Sequence, residues 1–286
     1  MTAAAFKPGI YEMDETVYHA DPVPGGSLSS SEARKLLPPS CPARFRWEKD
    51  NPPPPKDHLE LGSAAHQLVL GAGPGLVVVH AEDWRTKAAR EHRDAARAEG
   101  KIPLLTGEHV QVLGMAAAIR AHPVARALFD PERGGKPEQN LFWQDPESGI
   151  MRRARLDWLP QPQDGKRLVI GDYKTTADAS PAAIRKHVAN FGYYMQASWY
   201  LDAVTALGLD EAPSMLFVFQ EKQAPYLVIV AELDEAAIAT GRERNALACE
   251  IFRDCTEAGI WPGYSTEIEL ISLPPWAARD LEDILL

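Results

Sequence analysis

The sequence predicts an α/β fold with a central mixed β-sheet flanked by helices. Across the middle of the chain the apolar spacing shortens to two, as strands require, whereas the segments on either side repeat at three and four, as helices require. The order of elements there (hairpin, strand, long helix, two strands, helix) sets parallel and antiparallel neighbours into one sheet and covers it. The chain has 286 residues, 45% of them hydrophobic and 24% charged, which suits a large buried core and excludes a disordered or fibrous polypeptide. Residues 1–286 are read as one domain, in which 1–56 is a helical and extended N-terminal segment ending in a proline-rich spacer.

From the N-terminus, GIYEM reads as a short extended segment, followed by a Pro- and Gly-rich loop and a helix. Ser29 precedes Glu32 by three residues, the spacing of a capping box, in which each side chain bonds the other's backbone amide. NPPPPK, residues 51–56, holds four consecutive prolines, which lack N–H donors and fix φ, so it reads as a stiff surface spacer. Residues 59–70 read as a helix ending at the GAGPG turn, whose glycines lack the spacing of a phosphate-binding loop. A polar, basic-leaning helix is predicted over 84–99 and a second over 106–129.

QNLFWQ, the turn DPESG and IMRRARLDWL form a predicted β-hairpin, and after a loop RLVIGDYKT is a third strand. Ser180 caps, and Pro181 opens, one long helix running to about residue 209. SMLFVFQEK and YLVIVAEL are two further strands around a turn at 223–225, and a last amphipathic helix over 234–258 stops at Gly259.

Thirty Lys and Arg against forty Asp and Glu leave a net charge of -10, which argues against non-specific coating of nucleic acid. A nuclease stays open, because a basic channel can sit within an acidic exterior and clustered metal-binding carboxylates themselves lower the total. No apolar run approaches the roughly 18 residues needed to cross a bilayer, and the start lacks a signal-peptide core, so a soluble, cytoplasmic protein without a membrane partner is expected. The three cysteines, Cys41, Cys249 and Cys255, are expected to be reduced thiols rather than a disulfide framework.

The strongest chemical signal is Asp157 followed fifteen residues later by Asp172-Tyr173-Lys174. Alternate residues of a strand share a face, so Asp172 and Lys174 project together, and a neighbouring strand can bring Asp157 beside them. Two close carboxylates repel unless a divalent cation joins them, and hard oxygen ligands favour Mg²⁺ or Mn²⁺. A lysine there can orient or deprotonate an attacking water and neutralise charge on a phosphate. If repulsion dominated, Asp172→Ala would raise the melting temperature. A lone D-x-K is more often a surface salt bridge, so its neighbours decide.

Four segments together resemble the PD-(D/E)xK nuclease superfamily, within it the RecB-like branch and the nuclease domain of the phage RecE type. They are LELGSAAHQLVL, similar to the Gly-x-x-x-His helix; RLDWL, with Asp157 but Leu156 in place of the motif proline; GDYKTTAD; and YYMQASWYLDA, similar to the Gln-x-x-x-Tyr motif. Similarity continues in GIYEMDETVYHA and WPGYSTEIELISLPPWA, near the two ends. The resemblance implies a restriction-endonuclease-like core and maps metal ligands onto His66, Asp157, Asp172 and the Tyr173 carbonyl, with Glu138 acting through water. Lys174, with Gln196 and Tyr200 holding the lysine or a phosphate, would complete the catalytic set. Some members of the branch carry a four-cysteine iron-sulfur cluster; three cysteines are too few for one, and no such cofactor is expected.

What the resemblance implies is a Mg²⁺-dependent exonuclease at double-stranded DNA ends, digesting 5′ to 3′ and leaving a 3′ tail for a phage-type single-strand annealing protein. Cas4-like or structure-specific nucleases of the same fold, and a non-catalytic DNA-binding or assembly subunit, are the alternatives. Local basic surface for DNA is expected from Arg85, Lys87, Arg90 and Arg93 on one helix and from Arg153 and Arg155 on the hairpin, with Arg152 pointing away. Related exonucleases form rings, so a closed homo-oligomer is expected.

Overall fold

Capping and strand alternation place most elements where the sequence puts them. The computed structural model describes residues 6–52 and 60–274; residues 53–56 of the proline spacer and the last three of the C-terminal similarity, 275–277, lie outside it. The elements begin with β1 (Gly9–Tyr11), α1 (Glu15–His19), β2 (Leu28–Ser29), α2 (Ser30–Leu36), α3 (Pro42–Asp50) and α4 (Glu60–Leu70). The capping box is present, Ser29 and Glu32 each bonding the other's backbone at the start of α2. Next come β3 (Leu76–Val79), α5 (Lys87–Ala98), β4 (Ile102–Leu105), α6 (Thr106–Ala121) and α7 (Pro123–Leu128). The hairpin strands β5 (Lys136–Gln144) and β6 (Met151–Leu159) lead into β7 (Val169–Thr176), α8 (Pro181–Phe191), α9 (Tyr193–Ala206), β8 (Ser214–Glu221), β9 (Val228–Glu232) and α10 (Glu235–Ala258).

Among the described residues the main sheet runs β1-β5-β6-β7-β8-β9, with β2 set parallel beside β6. It is mixed, as predicted: β7 and β8 are parallel, joined by the α8–α9 crossover, while β5–β6, β6–β7 and β8–β9 are antiparallel. Alternation on β8 divides the core into two layers. Phe217 and Phe219 pack with α9 and α10 on one face, and Val218 packs with α4 and α6 on the other.

Three expectations change. The helix over 106–129 is broken at Pro123 and bends by 86°, because proline has no N–H for the helix ladder and its ring clashes with the preceding turn. The helix over 180–209 is broken at Gly192, which takes a left-handed φ of 70° and leaves α8 and α9 as separate rods. The short apolar runs LVVV and IPLL, not read as strands, pair in parallel as β3 and β4. Among the described residues no single helix is long and apolar enough to cross a membrane, and all three cysteines are free and buried.

Candidate active site

The site opens where β6 and β7 part. The two strands are in register at Trp158 and Gly171. Beyond that point the Asp157 carboxylate replaces a strand partner, its Oδ2 accepting the Tyr173 N–H at 2.8 Å. Alternation along β7 turns Asp172 and Lys174 to the α9 side, and Lys174 Nζ stands 2.5 Å from Asp172 Oδ1. The Gln196 amide, one turn into α9, donates to Asp172 Oδ2 at 2.6 Å. Gln196 therefore orients the aspartate and not the lysine.

Glu138 arrives from β5. The register pairing Pro137 with Trp158 and Gln139 with Leu156 sets Glu138 opposite Asp157, and its φ of 53° is left-handed, a conformation of higher energy for a residue bearing a Cβ. Its carboxylate meets Arg155 Nε at 2.6 Å. His66 comes from α4, whose Gly62 allows close approach to the sheet: a Cβ there would lie 3.3 Å from Thr175 Oγ1. The His66 ring lies 4.9 Å from that of Tyr173, and its Nδ1 is 3.8 Å from Asp157 Oδ2.

Burial sets the electrostatics. It lifts the Asp172 carboxyl to about 6 and raises Asp157 as well. Burial, with the Asp157 charge added, lifts Glu138 to about 7. Burial and the nearby Lys174 charge push the His66 imidazolium down to about 4, leaving a neutral ring with a lone pair to offer. Burial works against the Lys174 ammonium too, but Asp172 and Asp157 outweigh it and hold the lysine charged far above its usual range.

The residues fit a divalent cation. Ligand atoms of His66, Glu138 and Asp157 all lie within 4.8 Å of one another, and buried Asp172 Oδ1 has no hydrogen-bond partner beyond its ion contact with Lys174. Carboxylate oxygens with one imidazole suit Mg²⁺ or Mn²⁺. The Tyr173 main chain, between Asp157 and His66, borders the same spot.

Other expected residues have different work. The Tyr200 hydroxyl donates to the Arg155 carbonyl at 2.9 Å, so it braces β6 and does not hold the lysine. Arg153 is not a DNA contact. It is buried, its guanidinium 3.0 Å from Asp21 Oδ2 and 2.8 Å from Glu32 Oε2, and it donates to Ser27, because β6 lies beneath the N-terminal segment. Arg152 does point away, stacked 3.8 Å from the Trp199 ring centroid and paired with Asp145. Arg155 alone of the hairpin arginines lines the open cleft. Arg85 falls before the α5 cap Thr86 and so is not on the helix; Lys87, Arg90 and Arg93 are. Glu91 pairs with Lys87 and Asp94 with Arg93, which dilutes the basic character of that face.

The open cleft beside the carboxylates has a volume of about 600 Å³. Its walls include residues not anticipated from the sequence: Ser31 and Arg34 on α2, and Phe191 and Tyr193 at the break between α8 and α9. The signal for the second pair was Gly192, a helix breaker inside a pattern read as continuous.

A family model described as a PDDEXK-like domain of unknown function (DUF3799) matches residues 29–274. A crystal structure from Eubacterium rectale, described as a "putative exonuclease", is similar in fold at a TM-score of 0.59 and 10% identity, covering 95% of this chain and 98% of that one. The crystal structure of SSO0001 overlaps 72% of this chain and 95% of its own at 14% identity, with a TM-score of 0.29. No curated protein matches the chain in sequence.

Proposed function

The chain belongs to the DUF3799 family of PDDEXK-like domains, and from that premise we propose that it is a divalent-metal-dependent DNA exonuclease acting at double-stranded ends. One observation carries the reading: His66, Glu138 and Asp157 converge within 4.8 Å beside the buried Asp172–Lys174 pair. The name of the Eubacterium rectale structure agrees with it.

In this reading His66, Asp157, Asp172 and the Tyr173 carbonyl would hold Mg²⁺, with Mn²⁺ as a substitute, and Glu138 would complete the set. When bound, such a cation supplies Lewis acidity toward a phosphate oxygen and lowers the pKa of water. The protein's own groups do the rest. Lys174, held charged by its two aspartates, orients the attacking water and offsets the growing negative charge on the phosphate. Gln196 fixes the Asp172 carboxylate, and Tyr200 fixes the β6 main chain. The outcome is hydrolysis of one phosphodiester bond by one water.

Digestion 5′ to 3′, a 3′ tail delivered to a phage-type single-strand annealing protein, and a homo-oligomeric ring with Lys87, Arg90 and Arg93 facing the DNA complete the proposal. The test is a time course on end-labelled linear duplex with Mg²⁺ against a chelated control and a closed circle. Loss of label from the linear duplex alone supports it. Cutting of the closed circle would replace it with a structure-specific nuclease, and no metal-dependent cutting with a non-catalytic subunit.

A further inference from the structure

Several helices set their cations against carboxylates: Lys35 meets Glu48 at 2.7 Å, and on α5 Lys87 pairs with Glu91 and Arg93 with Asp94. Helix α8 is different. Its sequence, PAAIRKHVANF, holds no Asp or Glu, and of the other described helices only the short α7 shares that feature. Ile184 and Val188 turn to the core, which leaves Arg185 and Lys186 exposed, and neither has an ion-pair partner among the described residues. Asp178 and Glu221, at the head of the helix, are engaged by the Ser180 and Ala179 amides.

The other end of α8 reaches the rim of the cleft, which Phe191 and Gly192 line. There Arg34 Nη1 donates to the Asn190 carbonyl at 2.9 Å. A helix C-terminus carries partial negative charge, which repels phosphate, and this guanidinium covers it. Lys186 and Asn190 are one turn apart and both exposed, so a line of donors runs from α8 onto Arg34 of α2, with Arg185 on its flank. The exposed Ala182 and Ala189 add little bulk, so a backbone can approach closely. At a rise of 1.5 Å per residue, Lys186 and Arg185 stand about 7 to 9 Å from Phe191 along the axis, roughly two to three 3.4 Å steps of a duplex.

We propose that the outer face of α8, with Arg34 at its end, is a docking ridge for the phosphate backbone of paired DNA, outside the cleft and two to three base pairs behind the end being cut. Charge on a face free of carboxylates suits evenly spaced phosphates, in a chain whose net charge is -10. An acidic protein is the poorer match, because between Ala182 and Asn190 the exposed face carries no aromatic or large aliphatic anchor. The choice of DNA as ligand rests on the nuclease reading; the ridge adds a surface separate from the carboxylates and from the α5 cations.

The test measures binding of a short blunt duplex to the full chain over a range of salt, with Ca²⁺ in place of Mg²⁺ so that nothing is cut. Loss of two phosphate contacts in Arg185→Gln/Lys186→Gln is expected to lower the slope of log affinity against log salt by about 2, and to weaken binding roughly tenfold at moderate salt. Arg185→Lys/Lys186→Arg keeps both charges and should keep the wild-type slope. A slope unchanged in the neutralised variant overturns the ridge, as does a slope lost in the charge-retaining variant or a wild-type protein that does not bind duplex. Protein that binds duplex through these two residues yet never cuts it with Mg²⁺ loses the nuclease reading and keeps the ridge; protein that cuts, with a slope indifferent to both, loses the ridge alone.

Discussion

Glu138 and Asp157 face each other across the β5–β6 hairpin, two carboxylates in directly opposed positions, both with their acidity weakened by burial. Like charges so placed destabilise a strand pair, and Arg155 partners only one of them. A cation between them relieves the repulsion. Glu138→Gln is therefore expected to stabilise the metal-free protein above neutral pH and to weaken Mn²⁺ binding, read by thermal denaturation with and without the ion. A variant with unchanged Mn²⁺ affinity would place Glu138 outside the ligand set.

Asp172→Ala and Lys174→Ala should each abolish cleavage of end-labelled duplex. The ion pair reverses the sign expected for Asp172 from repulsion alone: removing the aspartate leaves a buried ammonium with a weaker partner, so stability should fall by about 3 kcal/mol and the melting temperature with it. Either variant cutting at the wild-type rate would sink the site assignment.

His66→Ala should weaken metal binding more than it impairs chemistry, with activity returning in part at higher Mn²⁺. Imidazole favours Mn²⁺ over Mg²⁺, so its loss should raise the Mn²⁺ requirement by the larger factor and narrow the gap between the two ions. An unchanged requirement for both ions returns His66 to a packing role against Tyr173.

The response to pH follows from two opposed shifts. A group whose pKa rises on folding contributes stability at acid pH and loses it as pH climbs through the folded value. For Glu138 that window runs from 4.5 to about 7, and for Asp172 from 3.8 to about 6. His66, pushed down from 6.5 to about 4, contributes above 6.5 and loses it as pH falls. A cation must displace the carboxyl protons, so the Mn²⁺-induced rise in melting temperature should be larger above about pH 7 than below about pH 6. A rise independent of pH would show that these carboxylates do not bind the ion.

Arg153→Ala should lower stability by about 3 kcal/mol, since Asp21 and Glu32 lose their buried guanidinium and keep only Lys49, 3.0 Å and 3.5 Å away, and leave the salt dependence of DNA binding unchanged. Chemical denaturation alongside a salt titration separates this from a phosphate contact.

Local chemistry explains what could be read in advance. The capping box at Ser29, the alternation in β7 that joins Asp172 to Lys174, and the stop at Gly259 each depend on residues within a few positions of one another. The errors came from tertiary context. Arg153 and Arg155 both sit at outward positions of one strand, and only the segment folded over β6 makes the first a buried partner of Asp21 and Glu32. Tyr200 shares a helix face with Gln196, yet its partner is a carbonyl on another strand. Gly192 was visible as a glycine, but its value lies in the approach of Arg34, a residue far away in sequence.

The Arg153 anchorage also bears on how the chain comes to be folded during synthesis. Asp21 and Glu32 leave the ribosome with Lys49 close behind them, but the buried guanidinium that completes their pairing follows Glu32 by 121 residues, roughly ten seconds of translation. Phe45 waits longer still, for its ring partners Phe252 and Trp261 at the far end of the chain. The first fifty residues therefore cannot settle in the order they emerge. Because α2 lines the cleft and shares its core with α10, a nascent or C-terminally shortened chain that lacks α10 has the carboxylates before it has a complete cleft.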